Sequence, residues 1–321
     1  MLADLERELS SARLDPVAFF GPDPDTLYRW YAVRLHPDRF PERDRDRAAR
    51  LFRELGALKA AASQAPLQVV TSPTREYSVR STLGRGDLCD VQYATSDGQA
   101  YLLKTPYVTL PAANNLLAKE REVLEHLHEQ AAGTSTYSHY LPLPVESFLV
   151  GKVRVNVFHR RPGLFTTADV LTKHAPLDSR HLAWMFKRML TVLGFAHRYG
   201  WAHCAVLPQH CLWSAANHGL VLCDWIHAAK LGSPVPVVPS SHKAWYPGKE
   251  ATPALDIHLA ARTLVQMAGG EEALPPLMRG FMRSCCLPGR LAPSDAWQLC
   301  AEFTDLLDQL FGPPVFVPLD M

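Results

Sequence analysis

Residues 201–213 read WAHCAVLPQHCLW, and residues 219–228 read GLVLCDWIHA. Each contains a short strand-like piece, at 211–213 and at 221–223. Both lie in a stretch that is otherwise mostly helical beyond Thr167. Upstream the pattern differs. Segments 77–83, 89–94 and 99–104 are short, rich in Val, Tyr and Leu, and separated by Gly and Asp, which predicts a strand meander. A helix is predicted from about 113 to 129, with Leu116, Leu117, Val123, Leu124 and Leu127 on its buried face. Further strand-like runs follow at 147–150 and 154–158. Strands with one helix, then a helical half, is α+β segregation and not βαβ alternation. The prolines at 234–239 mark an exposed loop.

Residues 1–62 read as helical, broken at Gly21-Pro22-Asp23-Pro24 and at Pro37-Asp38. Tyr28, Tyr31 and Leu35 recur at helical spacing before the second break, and Ala48, Leu51, Phe52, Leu55 and Leu58 do so after it. Proline cannot continue a helix and restricts the residue before it, so His36-Pro37-Asp38 predicts a sharp loop between two amphipathic helices. The polar stretch 63–74 reads as a linker, 75–312 as the main domain and 313–321 as a tail.

Composition bounds the function. The 321 residues carry a formal net charge of +1, 47% hydrophobic and 20% charged residues. That predicts an ordinary globular protein with no field for nucleic acid or membrane. The seven cysteines form no CxxC pair, and the 14 histidines are dispersed with no HExxH, so no structural metal is expected. The charged start MLADLERELSSARLD has no leader-like apolar run, and no stretch reaches the length of a membrane span. A cytoplasmic location is expected.

Gly84-Arg85-Gly86 ends one predicted strand and Asp90-Val91 begins the next, and glycine lets backbone approach phosphates closely. Lys104, twenty residues after Gly84, ends a strand, and Glu120 lies sixteen residues further within a helix. The lysine would face phosphate oxygens, held by an ion pair to Glu120. The plainer reading is an ion pair of purely structural use, with Asp224 capping a turn.

In this order the residues resemble a protein kinase over roughly 75–312. Gly84, Gly86, Val91, Lys104 and Glu120 resemble its nucleotide-binding small lobe. His203 and Pro208 match its catalytic loop. Leu222-Cys223-Asp224-Trp225-Ile226 stands where the metal-binding Asp-Phe-Gly is expected, nineteen residues past Ala205. Trp245-Tyr246-Pro247-Gly248-Lys249-Glu250 resembles the end of the activation segment. Asp256 resembles the aspartate that braces the catalytic loop, and Arg290 the late arginine that pairs with Glu250. The resemblance implies ATP with one magnesium on Asp224.

The departures bear on activity. Ala205 replaces the catalytic base, Leu207 the lysine that steadies the transferred phosphoryl, and His210 the asparagine of the second magnesium. Cys89 replaces the third loop glycine, and Ile226 the glycine after the metal aspartate. Alanine accepts no proton, so an inactive domain is expected. The alternative is an atypical serine/threonine kinase with His203, His210 or Asp224 as substitute base.

LYRWYAVRLHPDRF, followed by ARLFRELGALKAA, resembles a J-domain around its signature loop, with DPVAFFG resembling its short first helix. That implies contact with a DnaK-type chaperone through His36, Pro37, Asp38, Arg29 and Arg34. Nine Lys/Arg against five Asp/Glu between residues 26 and 62 suit an acidic partner. GRGDLCDVQYA, HCAVLPQHCLW, GLVLCDWIHA and LPGRLAPSDAWQLCAEF resemble a subgroup of bacterial J-domain proteins with a kinase-like half. A client protein is implied but not named by this resemblance.

Overall fold

The computed structural model describes residues 2–14, 16–20, 24–64, 68–107, 111–133 and 136–321. The chain divides into two compact units, Met1–Asn114 with Val145–Arg160, and Asn115–Pro144 with Arg161–Met321.

The first unit opens with helices α1 (Leu2–Leu14), α2 (Pro16–Phe20), α3 (Pro24–Leu35) and α4 (Glu42–Gln64). Their apolar faces meet in a core of Leu5, Leu9, Phe20, Tyr31, Leu35, Leu51 and Leu55. The spacing of Ala48, Leu51 and Leu55 is what turns one stripe of α4 inward, and all three are buried. Arg13 pairs with Glu54, and Arg47 with Glu6, so ion pairs flank this core between α1 and α4. Exposed pairs of this kind add little to stability. Between α3 and α4, Pro37–Arg39 forms a single 3-10 turn.

A six-stranded sheet follows, built from β1 (Gln68–Thr71), β2 (Glu76–Arg85), β3 (Cys89–Ser96), β4 (Gln99–Pro106), β5 (Pro144–Val150) and β6 (Val153–His159), in the order β1-β2-β3-β4-β6-β5. Val70, Tyr77, Val79, Ala94, Tyr101, Leu103, Phe148, Val155 and Val157 form its own core, separate from that of the helices. Helix α5 (Pro111–Ala131) starts here: Asn114 donates to the Lys152 carbonyl at 2.7 Å and accepts the Arg154 amide at 2.9 Å, fastening the β5–β6 turn. Residues 68–71, inside the stretch read as a linker, pair with β2 instead. The turn between them is closed by Ser72, whose hydroxyl also reaches Glu146 at 2.9 Å.

The second unit contains the rest of α5, then β7 (Leu164–Thr166), α6 (Thr167–His174), α7 (Ser179–Arg198), β8 (Trp201–Ala202), β9 (Cys211–Ser214), β10 (Gly219–Leu222), β11 (Ala229–Lys230), α8 (Pro253–Met267), α9 (Pro276–Ser284) and α10 (Ala296–Phe311). Antiparallel ladders join β10-β9-β7 and β11-β8. Helix starts are set by capping side chains: Asp169 and Thr166 in a reciprocal box on α6, Asp178 on α7, Thr252 on α8 and Asp295 on α10. Helix α7 lies at the centre, with Phe186, Met189, Leu190 and Leu193 buried. It meets α10 so closely at Gly194 that an added Cβ would stand 2.6 Å from the Trp297 ring. The 313–321 stretch has no regular secondary structure but is attached: His218 bonds the Val317 carbonyl at 2.8 Å and His174 the Asp320 carbonyl at 2.6 Å. Among the described residues no helix is long and apolar enough to cross a membrane.

Candidate functional site

The loop 203–210 is pinned backbone atom by backbone atom. Asp256, in the first turn of α8 and fully buried, accepts the amide of His203 through Oδ2 and that of Cys204 through Oδ1, each at 2.7 Å. His197 Nε2 lies 3.0 Å from the same Oδ2. Tyr246 donates to the Cys204 carbonyl at 2.7 Å, Thr263 to that of Val206 at 2.8 Å, and Thr167 to that of Pro208 at 2.7 Å. A buried carboxylate is tolerated here because three donors converge on it.

His203 is spent inside this framework. Its Nε2 donates to the Cys223 carbonyl at 2.9 Å, its Nδ1 accepts the Ala205 amide at 3.3 Å, and its ring lies edge-on to Trp225. Burial pushes its pKa down to about 3. Ala205 and Leu207 are both fully buried. Neither offers a proton acceptor or a cation.

His210 and Asp224 are brought together by the β9–β10 ladder, which sets Cys211 opposite Leu222 and bonds the Cys223 amide to the His210 carbonyl at 2.9 Å. Asp224 then turns into the left-handed region at φ 67°, and a 3-10 turn over Trp225–His227 carries a second histidine back to it. His210 Nε2 is 2.9 Å and His227 Nε2 3.4 Å from Asp224 Oδ2. Sequence reasoning missed His227. Its only signal was an i, i+3 spacing to Asp224, which has meaning only once that turn is formed.

In the sheet, the ladders place Gly84 opposite Val91, Val91 opposite Lys104, and Lys104 opposite Asn156. Directly opposed residues share a face, so these four form one row across β2, β3, β4 and β6. Lys104 is buried, as is Glu120 on α5 in the other unit. The β2–β3 turn is closed by the Gly86 amide on the Cys89 carbonyl at 2.8 Å, and a Cβ at Gly86 would meet that oxygen at 3.4 Å. Arg85 and Asp90 pair across the same turn at 2.7 Å.

The expected Glu250–Arg290 pair is corrected. Both side chains are exposed, and among the described residues no ion pair joins them. Instead, backbone bonds hold the chain beside Glu250: Val235 to Lys249 at 2.8 Å, and Ala251 to Ser233 at 2.8 Å.

At the turn between α3 and α4, His36 and Asp38 are largely exposed, with His36 Nδ1 3.5 Å from Asp38 Oδ2. The His36 ring also lies edge-on to Phe52 on α4. Arg34 stacks on Trp30 at 3.5 Å from the ring centroid, and Arg29 is exposed. Trp30 and Val33 stand exposed beside them.

The two histidines beside Asp224 are not the oxygen ligands that magnesium prefers. That ion takes a near-octahedral set of oxygens, whereas two imidazole nitrogens face this carboxylate.

No protein-family model and no curated protein matches this chain. Solved structures do. The structure of vaccinia related kinase 3 is similar with a TM-score of 0.60 at 12% identity, covering 78% of this chain and 94% of that one. The kinase domain of a Plasmodium protein is similar with a TM-score of 0.56 at 10% identity, covering 75% of this chain and 96% of that one. The likeness is one of fold: this chain contains a kinase-like α+β domain.

Proposed function

We propose that the chain is a J-domain-like co-chaperone or scaffold whose kinase-like domain does not transfer phosphate. The observation that carries the catalytic half is Ala205, buried at the position of the base, with Leu207 buried two places on. Loss of a general base removes about two to four orders of magnitude in rate. The alternative, an atypical kinase, needs a substitute base, and the geometry disfavours each candidate. His203 has both ring nitrogens engaged in the framework. His210 uses Nδ1 on the Ala205 carbonyl and turns Nε2 onto Asp224.

Nucleotide binding without turnover belongs to the same proposal. Lys104 and the backbone around Gly84 and Gly86 are the groups that would hold ATP, through its phosphate oxygens. The chaperone half is supported by the exposed His36-Pro37-Asp38 turn with Arg29 and Arg34 near it. Such a turn contributes little to a core, so recognition is its simplest use. The partner is a DnaK-type chaperone, the client is a protein held by the kinase-like half, and the setting is cytoplasmic. The test is incubation of the full chain with γ-labelled ATP and generic protein substrates. No label is expected on chain or substrate. Labelling that disappears in Asp224→Ala would promote the atypical kinase instead.

A further inference from the structure

His210, Asp224 and His227 each offer one ligand atom, and these atoms all lie within 4.8 Å of one another. The geometry points to a binding site for a divalent transition metal of the zinc class, held by Nε2 of His210, Nε2 of His227 and the carboxylate of Asp224.

The hydrogen bonds behind the imidazoles set their tautomers. His210 Nδ1 is 2.7 Å from the Ala205 carbonyl and His227 Nδ1 is 3.1 Å from the Val237 carbonyl. A carbonyl only accepts, so each Nδ1 carries the hydrogen. In the neutral ring each Nε2 is then a bare lone pair, and both are aimed at a third acceptor, the Asp224 carboxylate. A metal ion bound by this carboxylate would take up both nitrogen lone pairs. An Nδ1–H on a backbone carbonyl with Nε2 left for metal is also the usual way a ligating histidine is oriented.

The spacing agrees. Zinc bonds of about 2.0–2.1 Å in a tetrahedral arrangement put neighbouring donors about 3.3 Å apart. The two nitrogen–oxygen separations are 2.9 and 3.4 Å. The rings are held in place: they stack at 5.5 Å with 24° between their planes, and both histidines are buried. Imidazole with carboxylate suits zinc and its neighbours, not magnesium. Three protein ligands leave one position for a water or an oxygen ligand, as in exchangeable zinc centres. All three residues belong to the second unit, and the site requires no nucleotide.

The test uses metal alone. Chelator-stripped full-length protein is titrated with cobalt(II), then with zinc. One equivalent of cobalt is expected to give the intense visible bands of a four-coordinate site, zinc is expected to displace it, and excess magnesium is not. His210→Gln and His227→Gln are each expected to lose the bands while keeping their far-ultraviolet circular dichroism. If either variant fails to fold, X-ray absorption of zinc-loaded wild type decides. Two imidazoles and oxygen ligands at about 2.0–2.1 Å support the site; fewer than two imidazoles overturn it. It is equally overturned if wild type binds neither metal saturably. Bands that survive in both folded variants, or displacement by magnesium, sink it too. None of these outcomes touches the phosphotransfer or chaperone assays, so the two readings fail separately.

Discussion

Asp256 Oδ1 accepts the amide hydrogen of Cys204 at 2.7 Å, and Cys204 is held there at φ 62°. That backbone region is unfavourable for a side chain bearing a Cβ. The buried carboxylate is what compensates for it, by bonding two successive amides that would otherwise have no water to turn to.

Asp256→Ala leaves the His203 amide, the Cys204 amide and His197 Nε2 without their acceptor. Each orphaned buried donor costs about 1–3 kcal/mol, so a loss of at least about 3 kcal/mol is expected. Urea denaturation followed by circular dichroism measures it. A loss under 1 kcal/mol would mean that the loop re-forms without the brace.

Ala205→Asp is expected not to create a kinase. The position is fully buried, so the new carboxylate enters without a counter-charge, and Leu207 still supplies no cation. Labelled phosphate on a generic substrate, well above the wild-type background, would show that one missing group was the whole defect.

Lys104→Ala tests the nucleotide. At a hundredfold excess over its dissociation constant, a ligand stabilises the native state by about 2.7 kcal/mol. For a domain of this size that corresponds to several degrees in Tm, at about 2–4 °C per kcal/mol. Wild type is expected to show such a rise with ATP and the variant none. Equal responses would leave the lysine a structural role only.

His36→Gln tests the chaperone. An exposed turn residue is worth less than about 0.5 kcal/mol to the fold, so the variant should melt as wild type does. It is expected to lose stimulation of the host DnaK-type ATPase. Electrostatic steering by Arg29 and Arg34 would make the rate of association fall as salt is added. Full stimulation by the variant, or none by wild type, removes the co-chaperone half of the proposal.

Acid should destabilise the protein well before its carboxylates titrate. Burial lowers the pKa of His203 to about 3 from an ordinary 6.5, and lowers those of His128, His181, His218 and His258 as well. Below 6.5 the unfolded chain takes up protons that the native state refuses. Stability therefore falls as pH drops below 6.5, and for the fully buried His203 the loss continues toward pH 3 at up to about 1.4 kcal/mol per pH unit; above 6.5 it is indifferent to these groups. Urea midpoints at pH 7.5, 6 and 5 measure the slope, and His203→Gln should lessen it. A flat profile across that range would mean these histidines are protonated in the native state.

The strands at 77–83, 89–94 and 99–104 were legible because they lie next to one another in sequence and their apolar residues suit a pleated, half-buried surface; they are β2, β3 and β4, each slightly longer than expected. The stripe on α4 was legible for a similar local reason. Strand β1 was not. It is four residues long, largely exposed and followed by a polar turn, and only its pairing with β2 makes it a strand. The site divides the same way. Asp224 and His210 could be placed by motif order, but His227 reaches them through a left-handed residue and a single turn, which no periodicity announces. Glu250 and Arg290 were joined by analogy alone, and both side chains are exposed.

The close approach of Gly194 to Trp297 makes the order of mutations matter. A methyl group at 194 would overlap the indole at 2.6 Å, while Tyr137 packs against the same indole and stacks on Phe195. Overpacking of this kind costs about 1–3 kcal/mol. A lineage that acquires Gly194→Ala first therefore passes through a weakened ancestor. One that first trims Trp297 opens the space and can then fill it. The two positions form an epistatic pair with a preferred history, and homologues carrying a larger residue at 194 should be found only where the indole has already gone.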